Sequence, residues 1–304
     1  MRPRDFALLC AVCVVWGLNF VVSKWIVVGD GVPGGFSGLP PMFAVGIRFA
    51  IASVVLAPLL RPIPRDLPAI VGAAAVYGAA HFGLVHAGVL TASASAAAIV
   101  IQLGTPFTAL LSVVMLGERI GWRRAVGIAL AFSGVTLIAF EPDQLTLSIG
   151  LAFIAVGAFC GAWGSILVKR LAPIGAIRLQ AWIVVCSTPM LLAGSLAAES
   201  GQLEGLASGG WRLAGAQAFV VVGVTLFAHT AYVWLLRRYE ASFISPLTLM
   251  SPVWGVVFGV TLMGDAMSAK FFVGAALALA GVAVVAMRTG RRGQEPAAVA
   301  EPDS

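Results

Sequence analysis

The sequence predicts an all-α integral membrane protein with ten transmembrane helices, arranged as two inverted five-helix repeats with both termini in the cytoplasm. Three observations predict this class: the apolar composition, the spacing of long apolar runs, and an internal repeat. Hydrophobic residues make up 60% of the 304 residues, charged residues make up 11%, and the mean hydropathy is +0.99. Soluble domains have about 45–50% apolar and about 25% charged residues. A lipid bilayer is therefore the expected solvent.

Ten apolar runs, bounded by charged residues, glycine or proline, are long enough to cross a hydrocarbon core, which takes about 20 helical residues. The backbone in lipid must be hydrogen-bonded within each segment, and these runs are too long for barrel strands, so helices are predicted. The predicted spans are 6–28, 41–60, 67–90, 94–116, 123–140, 148–168, 177–197, 213–236, 243–263 and 270–287. The connections 29–40 and 198–211, rich in glycine and serine, are predicted to be flexible, and the polar tail 289–304 is predicted to be disordered.

The distribution of basic residues predicts the orientation of the chain. With the N-terminus in the cytoplasm, most of the 19 Lys and Arg residues fall on the cytoplasmic side, and only Arg212 and Lys270 fall outside. They form short clusters between apolar runs rather than one basic face, which argues against nucleic acid as a partner. Lys24 lies near a span end, where its long side chain is expected to reach water.

An internal repeat divides the chain into 1–145 and 146–288, followed by the tail 289–304. Five residues recur with the same offset of 147 positions. They are Leu116, Gly117, Glu118, Gly127 and Gly134 in the first half, and Met263, Gly264, Asp265, Gly274 and Gly281 in the second. Five spans per half is an odd number, so the second half enters the membrane from the opposite side. The glycine-containing fifth and tenth spans are expected to meet within one monomer or to pair in a homodimer.

This organisation favours a carrier over other classes of membrane protein. Inverted repeats typically hold a substrate site near the bilayer midplane and work by alternating access. A channel is the alternative, but the sequence lacks a filter-like loop or a ring of charged side chains. The sequence also lacks a GxSxG elbow, an HExxH pair and a P-loop, so an enzyme is not predicted. No cofactor or metal is expected.

Several short motifs, in this order, resemble the EamA-type branch of the drug/metabolite transporter superfamily. They are Trp16-Gly17-Leu18-Asn19-Phe20 with Lys24, Pro40-Pro41 with Arg48-Phe49, Gln102, Gly117-Glu118-Arg119, Arg238-Tyr239-Glu240 and Ser245-Pro246-Leu247. The resemblance runs from about Phe6 to Met287. It implies a ten-helix exporter of amino acids or related small metabolites in the inner membrane, most similar to the aromatic amino-acid exporters. The sequence departs from the family pattern at Trp163-Gly164, which stands six residues before Lys169, and at Asp265, where glutamate is frequent.

The positions of the acidic residues bear on energy coupling. All 13 lie in loops or at predicted span ends, so the usual membrane carboxylate of a proton relay is missing. Facilitated, uniport-like export is therefore predicted. Proton coupling through a histidine is the alternative.

Polar and aromatic residues near mid-depth are the candidates for substrate binding, because polar groups within a membrane usually face a cavity and ligand pockets combine apolar walls with few polar groups. Arg48 offers a fork that matches a carboxylate, and His81 pairs with His229 across the repeat. Helix packing and interhelical hydrogen bonds are the structural alternative for every one of them. The set is Trp16, Asn19, Arg48, Tyr77, His81, Gln102, Trp163, Ser165, His229, Tyr232, Thr248 and Trp254, with Pro106, Pro246 and Pro252 as hinges or static bends.

Overall fold

The structure is a computed structural model, which describes residues 1–117, 120–141, 146–171, 174–239, 244 and 247–292 and is almost entirely helical. The helices are α1 Pro3–Val28, α2 Pro41–Leu56, α3 Leu67–Val89, α4 Ala94–Leu116, α5 Trp122–Ala139, α6 Ile149–Lys169 and α7 Ala176–Ala198, then α8 in three consecutive pieces (Gln202–Ala218, Phe219–Ala228 and His229–Arg238), α9 Met250–Met263 and α10 Ala269–Arg292. Two short antiparallel strands, β1 Phe140–Glu141 and β2 Thr146–Leu147, pair between α5 and α6 with Phe140 opposite Leu147.

Membrane-spanning length is reached by most of these helices. In the described part of the chain, nine helices are long and apolar enough to cross a bilayer, and α9 is a shorter apolar helix of 14 residues. The prediction of a helical membrane protein is thus confirmed. Part of the predicted span 243–263 lies outside the described residues.

The segment 198–211 differs from its prediction as a flexible connector, because α8 already begins at Gln202. The Gln202 amide donates to the carbonyl oxygens of Ser195 and Glu199 at 3.1 and 3.0 Å, which holds the new helix on the end of α7. Gly210 then adopts φ 49° and ψ −144°, a conformation that breaks the helix. The high glycine and serine content is typical of a linker, but here it permits a short helix, a sharp bend and a second helix.

Contacts between helix ends define two ends of the bundle. At the end where α1 begins, called the N end here, the Tyr239 hydroxyl donates to the Asp5 carboxylate at 2.5 Å, so α8 finishes beside the start of α1. At the opposite end, called the far end, the Lys24 ammonium donates to the carbonyl oxygen of Ala92 just before α4. Helices α4 and α8 therefore run opposite to α1 between the two ends.

Close helix packing depends on glycine. In lipid the hydrophobic effect does not drive helices together, so they associate through close van der Waals contacts that small residues permit. Helices α5 and α10 approach each other through two glycine pairs: Gly127 lies against the backbone of Gly281, and Gly134 lies against that of Gly274. The pairing is reciprocal, since Gly127 and Gly134 correspond to Gly274 and Gly281 in the 147-residue repeat. The fifth and tenth spans therefore meet within one chain.

The same repeat marks the ends of two other helices. Gly117 ends α4 with φ 69° and Gly264 ends α9 with φ 70°, and both amides donate to the carbonyl oxygen four residues earlier. A residue with a Cβ is disfavoured in this left-handed conformation. The repeated glycines thus have the same local structure in both halves.

We expect Gly134→Ala to lower the free energy of unfolding by about 1–3 kcal/mol, because overpacking a close contact forces the backbones apart. The added Cβ would stand 2.9 Å from the Cα of Ala278. Thermal unfolding in detergent measures the change. Gly215→Ala in α8 is the control, because a Cβ there meets nothing within 4 Å. Equal unfolding midpoints for the two variants would contradict the prediction.

Candidate substrate cavity

A cavity of about 450 Å³ lies between α1, α2, α3, α6, α7 and α8. Its wall runs from Trp16 and Tyr77, near the middle of α1 and α3, to Leu56, Val168 and Ile177 at the N-end termini of α2, α6 and α7. The cavity therefore extends from mid-depth towards the N end of the bundle. Its size falls in the range of about 300–1,000 Å³ that is usual for small-molecule sites.

Aromatic rings form much of the wall at mid-depth. The Trp16 indole meets the rings of His229 and Tyr232 edge-on, with centroids 5.5 and 5.2 Å apart. Tyr77 lines the cavity from α3 and stacks on His81 at 6.0 Å. Such rings offer a flat apolar surface with polar edges, which suits a ligand that has both an apolar and a polar part.

Each of the two helices that carry the paired histidines contains a π-helical segment directly before the histidine. These segments are Ala74–Ala80 in α3, followed by His81, and Phe219–Ala228 in α8, followed by His229. Single π-helical turns within α-helices are frequent at functional sites, because the extra residue shifts side chains and frees carbonyl groups. Both halves thus have the same backbone irregularity at the same place.

The histidines are held through Nδ1 by carbonyl oxygens. His81 Nδ1 lies 2.8 Å from the Gly157 oxygen of α6, and His229 Nδ1 lies 2.6 Å from the oxygen of Val224 in its own helix. A carbonyl only accepts, so Nδ1 carries the proton and, in the neutral ring, Nε2 is an acceptor. His229 lines the cavity and can thus accept a hydrogen bond from a ligand, whereas His81 stands behind Tyr77 and does not line it.

Arg48 lies behind the cavity wall. Its side chain is only 3% exposed, and its Nε and Nη2 donate to the Thr225 hydroxyl oxygen at 3.2 and 3.1 Å. The guanidinium carbon also stands 5.6 Å from the centre of the Phe82 ring. Thr225 itself lines the cavity, so one side chain separates the buried cation from the space.

The cavity brings together five of the predicted binding residues, which are Trp16, Tyr77, Ser165, His229 and Tyr232. Seven others do not line it, namely Asn19, Arg48, His81, Gln102, Trp163, Thr248 and Trp254. Trp163 is 40% exposed beside Phe159, and Trp254 is 37% exposed and stacks on Phe258. A substrate role for any of the twelve stays a prediction.

The predicted hinges have different placements. Pro106 and Pro252 are buried within α4 and α9. Pro246 lies outside the described residues. A hinge role for these prolines stays a prediction.

Three polar residues of the wall were not predicted: Gln180, Thr225 and Thr230. Thr225 had a signal in the sequence, because Thr225, His229 and Tyr232 follow each other at spacings of four and three residues, which places them on one side of a helix. The hydroxyl of an isolated threonine in an apolar helix usually bonds to a carbonyl oxygen of its own helix. For this reason Thr225 was not selected as a binding residue from the sequence.

The far end of the bundle is held together around the start of α4. The Asp265 carboxylate, in the α9–α10 turn, accepts from the Ser95 amide at 2.9 Å and from the Ser95 hydroxyl at 2.7 Å. Lys24 was predicted to reach water, but it is only 8% exposed and donates to the Ala92 carbonyl instead. The prediction was wrong because the Ala92 carbonyl oxygen, just before α4, lies within hydrogen-bonding distance of the Lys24 ammonium.

Comparison with known proteins gives a consistent family. The sequence profile of the EamA-like transporter family matches residues 6–140 and 148–287, once in each half. The chain is 26% identical over 293 residues to a protein of Escherichia coli (strain K12) named "Probable amino-acid metabolite efflux pump", covering 93% of this chain and 94% of that protein. It is 28% identical over 289 residues to the "Probable terminal-alkyne amino-acid exporter" of Streptantibioticus cattleyicolor, covering 91% of this chain and 95% of that one.

A solved crystal structure has the same fold. It superimposes on 97% of this chain and 100% of its own length with a TM-score of 0.59 at 16% sequence identity. The apolar helices, the twofold match and the shared fold agree, and this multi-pass membrane protein belongs to the EamA-like transporter family.

Proposed function

We propose that this chain exports amino-acid-related metabolites, with a preference for aromatic and other neutral amino acids, by alternating access across the cytoplasmic membrane. The observation that carries the proposal is the cavity of about 450 Å³, which combines the rings of Trp16, Tyr77 and Tyr232 with the polar groups of Ser165 and His229. The names of two relatives, an amino-acid metabolite efflux pump and an amino-acid exporter, support the substrate class.

The two halves are proposed to be inverted repeats, with both termini in the cytoplasm. The reciprocal glycine contacts between α5 and α10 support this arrangement, because they are the contacts that a twofold axis in the membrane plane would generate. The basic residues at the N end support the orientation. The N end then faces the cytoplasm, and the cavity is open to the cytoplasm, as expected for the inward-open state of the transport cycle.

Transport is proposed to be uniport-like. Within the described ranges, the carboxylates lie at helix ends or in connections, as Asp5, Glu199 and Asp265 illustrate. Proton relays in transporters usually need a carboxylate inside the membrane. Proton coupling through His229 is the second candidate, favoured by the position of that ring in the cavity wall.

Counterflow in proteoliposomes tests the proposal. Purified protein is reconstituted, the vesicles are preloaded with L-phenylalanine or L-leucine, and uptake of the radiolabelled amino acid is measured with and without an imposed pH gradient. We expect saturable counterflow of both, faster for phenylalanine, with no dependence on the gradient. Uphill accumulation driven by the gradient would favour the histidine-coupled alternative. A non-saturating ionic current would indicate a channel, and flux of sugars or nucleotides alone would refute the amino-acid assignment.

A further inference from the structure

The Arg48 guanidinium has the hydrogen-bond geometry with which arginine usually binds a carboxylate, but its acceptor is a hydroxyl group. Two of its donors, Nε and Nη2, converge on a single oxygen, Thr225 Oγ1, at 3.2 and 3.1 Å. These neighbouring nitrogens form the fork that guanidinium ordinarily presents to a carboxylate or phosphate. A neutral hydroxyl therefore occupies the place of an anionic oxygen.

Thr225 acts there only as an acceptor. Its own hydroxyl proton is directed to the Val220 carbonyl oxygen at 2.9 Å, five residues back in the π-helical segment. The π-helical geometry thus orients the Thr225 oxygen lone pairs towards Arg48. In an ordinary α-helix, each carbonyl oxygen instead accepts a hydrogen bond from the backbone amide four residues later.

The charge of Arg48 lacks a counterion in the described part of the chain. Its contacts there are the Thr225 hydroxyl and the face of the Phe82 ring, and none of the described carboxylates lies within 4 Å of the guanidinium. Burying a cation without an anion is costly, and ionisable residues within a membrane usually serve a ligand or an ion pathway. Since Arg48 is 3% exposed, this cost is not relieved by water.

We propose that Arg48 binds the carboxylate of the transported substrate and that the Thr225 hydroxyl holds the carboxylate position until the substrate arrives. Thr225 lines the cavity, so its rotation away from Arg48 opens the guanidinium to a ligand there. The substrate class is then restricted to compounds with a carboxylate, and amines or amides of the same shape are rejected. This inference rests on the proposed function.

The test compares L-phenylalanine with L-phenylalaninamide, which has the same side chain but no carboxylate. Inhibition of phenylalanine counterflow gives the apparent affinity of each compound. Wild-type protein should prefer the acid by roughly 10-fold to 100-fold, the range for a hydrogen bond to a charged group. Arg48→Gln should remove this preference by weakening the acid alone.

Two threonine variants keep the test informative if Arg48→Gln fails to fold. Thr225→Val removes the hydroxyl that competes with the substrate, so affinity for the acid should rise several-fold while that for the amide stays unchanged. Thr230→Val is the control, because Thr230 lines the same cavity from the same helix and is not bonded to Arg48. Thr230→Val should change the affinities for the acid and for the amide by the same factor.

The outcomes separate this inference from the function on which it rests. Equal wild-type affinity for acid and amide would overturn the role of Arg48 and leave amino-acid export standing. Parallel changes for both compounds in Thr225→Val would overturn the role of Thr225 as a stand-in. Absence of phenylalanine counterflow in the wild-type protein would overturn the proposed function and this inference with it.

Discussion

Replacing Ser165 with tryptophan should reduce transport to the background of protein-free liposomes while leaving the fold intact. Ser165 lines the cavity from α6, and its hydroxyl donates to the Ala162 carbonyl of the same helix at 2.7 Å. The side chain can therefore be exchanged without breaking a contact between helices. An indole in its place would occupy much of the space in which a substrate would bind. Counterflow of radiolabelled L-phenylalanine measures the effect.

Two variants of the same helix serve as controls for Ser165→Trp. Val156→Trp adds the same indole at a position that is 51% exposed on the outside of the bundle, so it should transport normally. Ser165→Ala should transport much faster than Ser165→Trp, because it removes the hydroxyl but leaves the cavity space open. Gel filtration and expression level verify folding. Normal flux through Ser165→Trp would show that the substrate does not pass through this cavity.

The membrane helices were predictable because the requirement for about 20 apolar residues per span leaves a strong pattern in the sequence. The ends of α4 and α9 were also marked, since Gly117 and Gly264 each follow an apolar run and both adopt the left-handed conformation. The early start of α8 was not predictable from composition. It depends on tertiary contacts, such as the Ser37 hydroxyl donating to the Gly205 carbonyl at 2.8 Å.

The cavity could be predicted only in part, because depth in the membrane can be read from position along the chain but helix rotation cannot. Trp16 and Trp163 are equivalent in the repeat, yet Trp16 lines the cavity and Trp163 is 40% exposed. Ser165, two residues after Trp163 and so about 200° around α6, lines the wall instead. The two halves thus use the shared sequence pattern differently.

The partners of charged residues were the least predictable feature. Arg48 is bonded to a hydroxyl 177 positions away, and Asp265 is bonded to Ser95 across 170 positions. A single sequence does not report contacts over such distances. Lys24 was assigned to water for the same reason, because its acceptor, the Ala92 carbonyl, lies 68 positions further along the chain in the connection between α3 and α4.

Removing the Asp265 carboxylate should open the far end of the bundle. Asp265 belongs to the second half and binds Ser95 of the first, so it joins the halves at the end away from the cavity. Each hydrogen bond to a charged acceptor contributes about 1.5–3 kcal/mol, and about 1.4 kcal/mol changes a conformational ratio tenfold. If transport follows the proposed alternating-access cycle, Asp265→Ala should therefore raise the population of its outward-open form at least about tenfold.

A cysteine at position 19 can report this opening. Asn19 lies between the middle and the far end of α1, and its side-chain oxygen is buried without a hydrogen-bond partner among the described residues. Asn19→Cys, in a background without the native Cys10, Cys13, Cys160 and Cys186, should react slowly with a membrane-impermeant maleimide added outside. Adding Asp265→Ala should raise the labelling rate about tenfold or more.

The control for Asp265→Ala must remove the same charge at the same end without touching the contact between the halves. Glu204→Ala meets this condition, because Glu204 lies in the first turn of α8 at the far end and is exposed. Cys at position 19 in the Glu204→Ala variant should be labelled at the same rate as in the Asn19→Cys parent. A rise in both variants would attribute the effect to surface charge, and no rise in either would show that Asp265 does not hold the far end closed. A rise confined to Asp265→Ala would identify this carboxylate as the outer latch of an alternating-access cycle, in which binding at the cavity and release at the far end exclude each other.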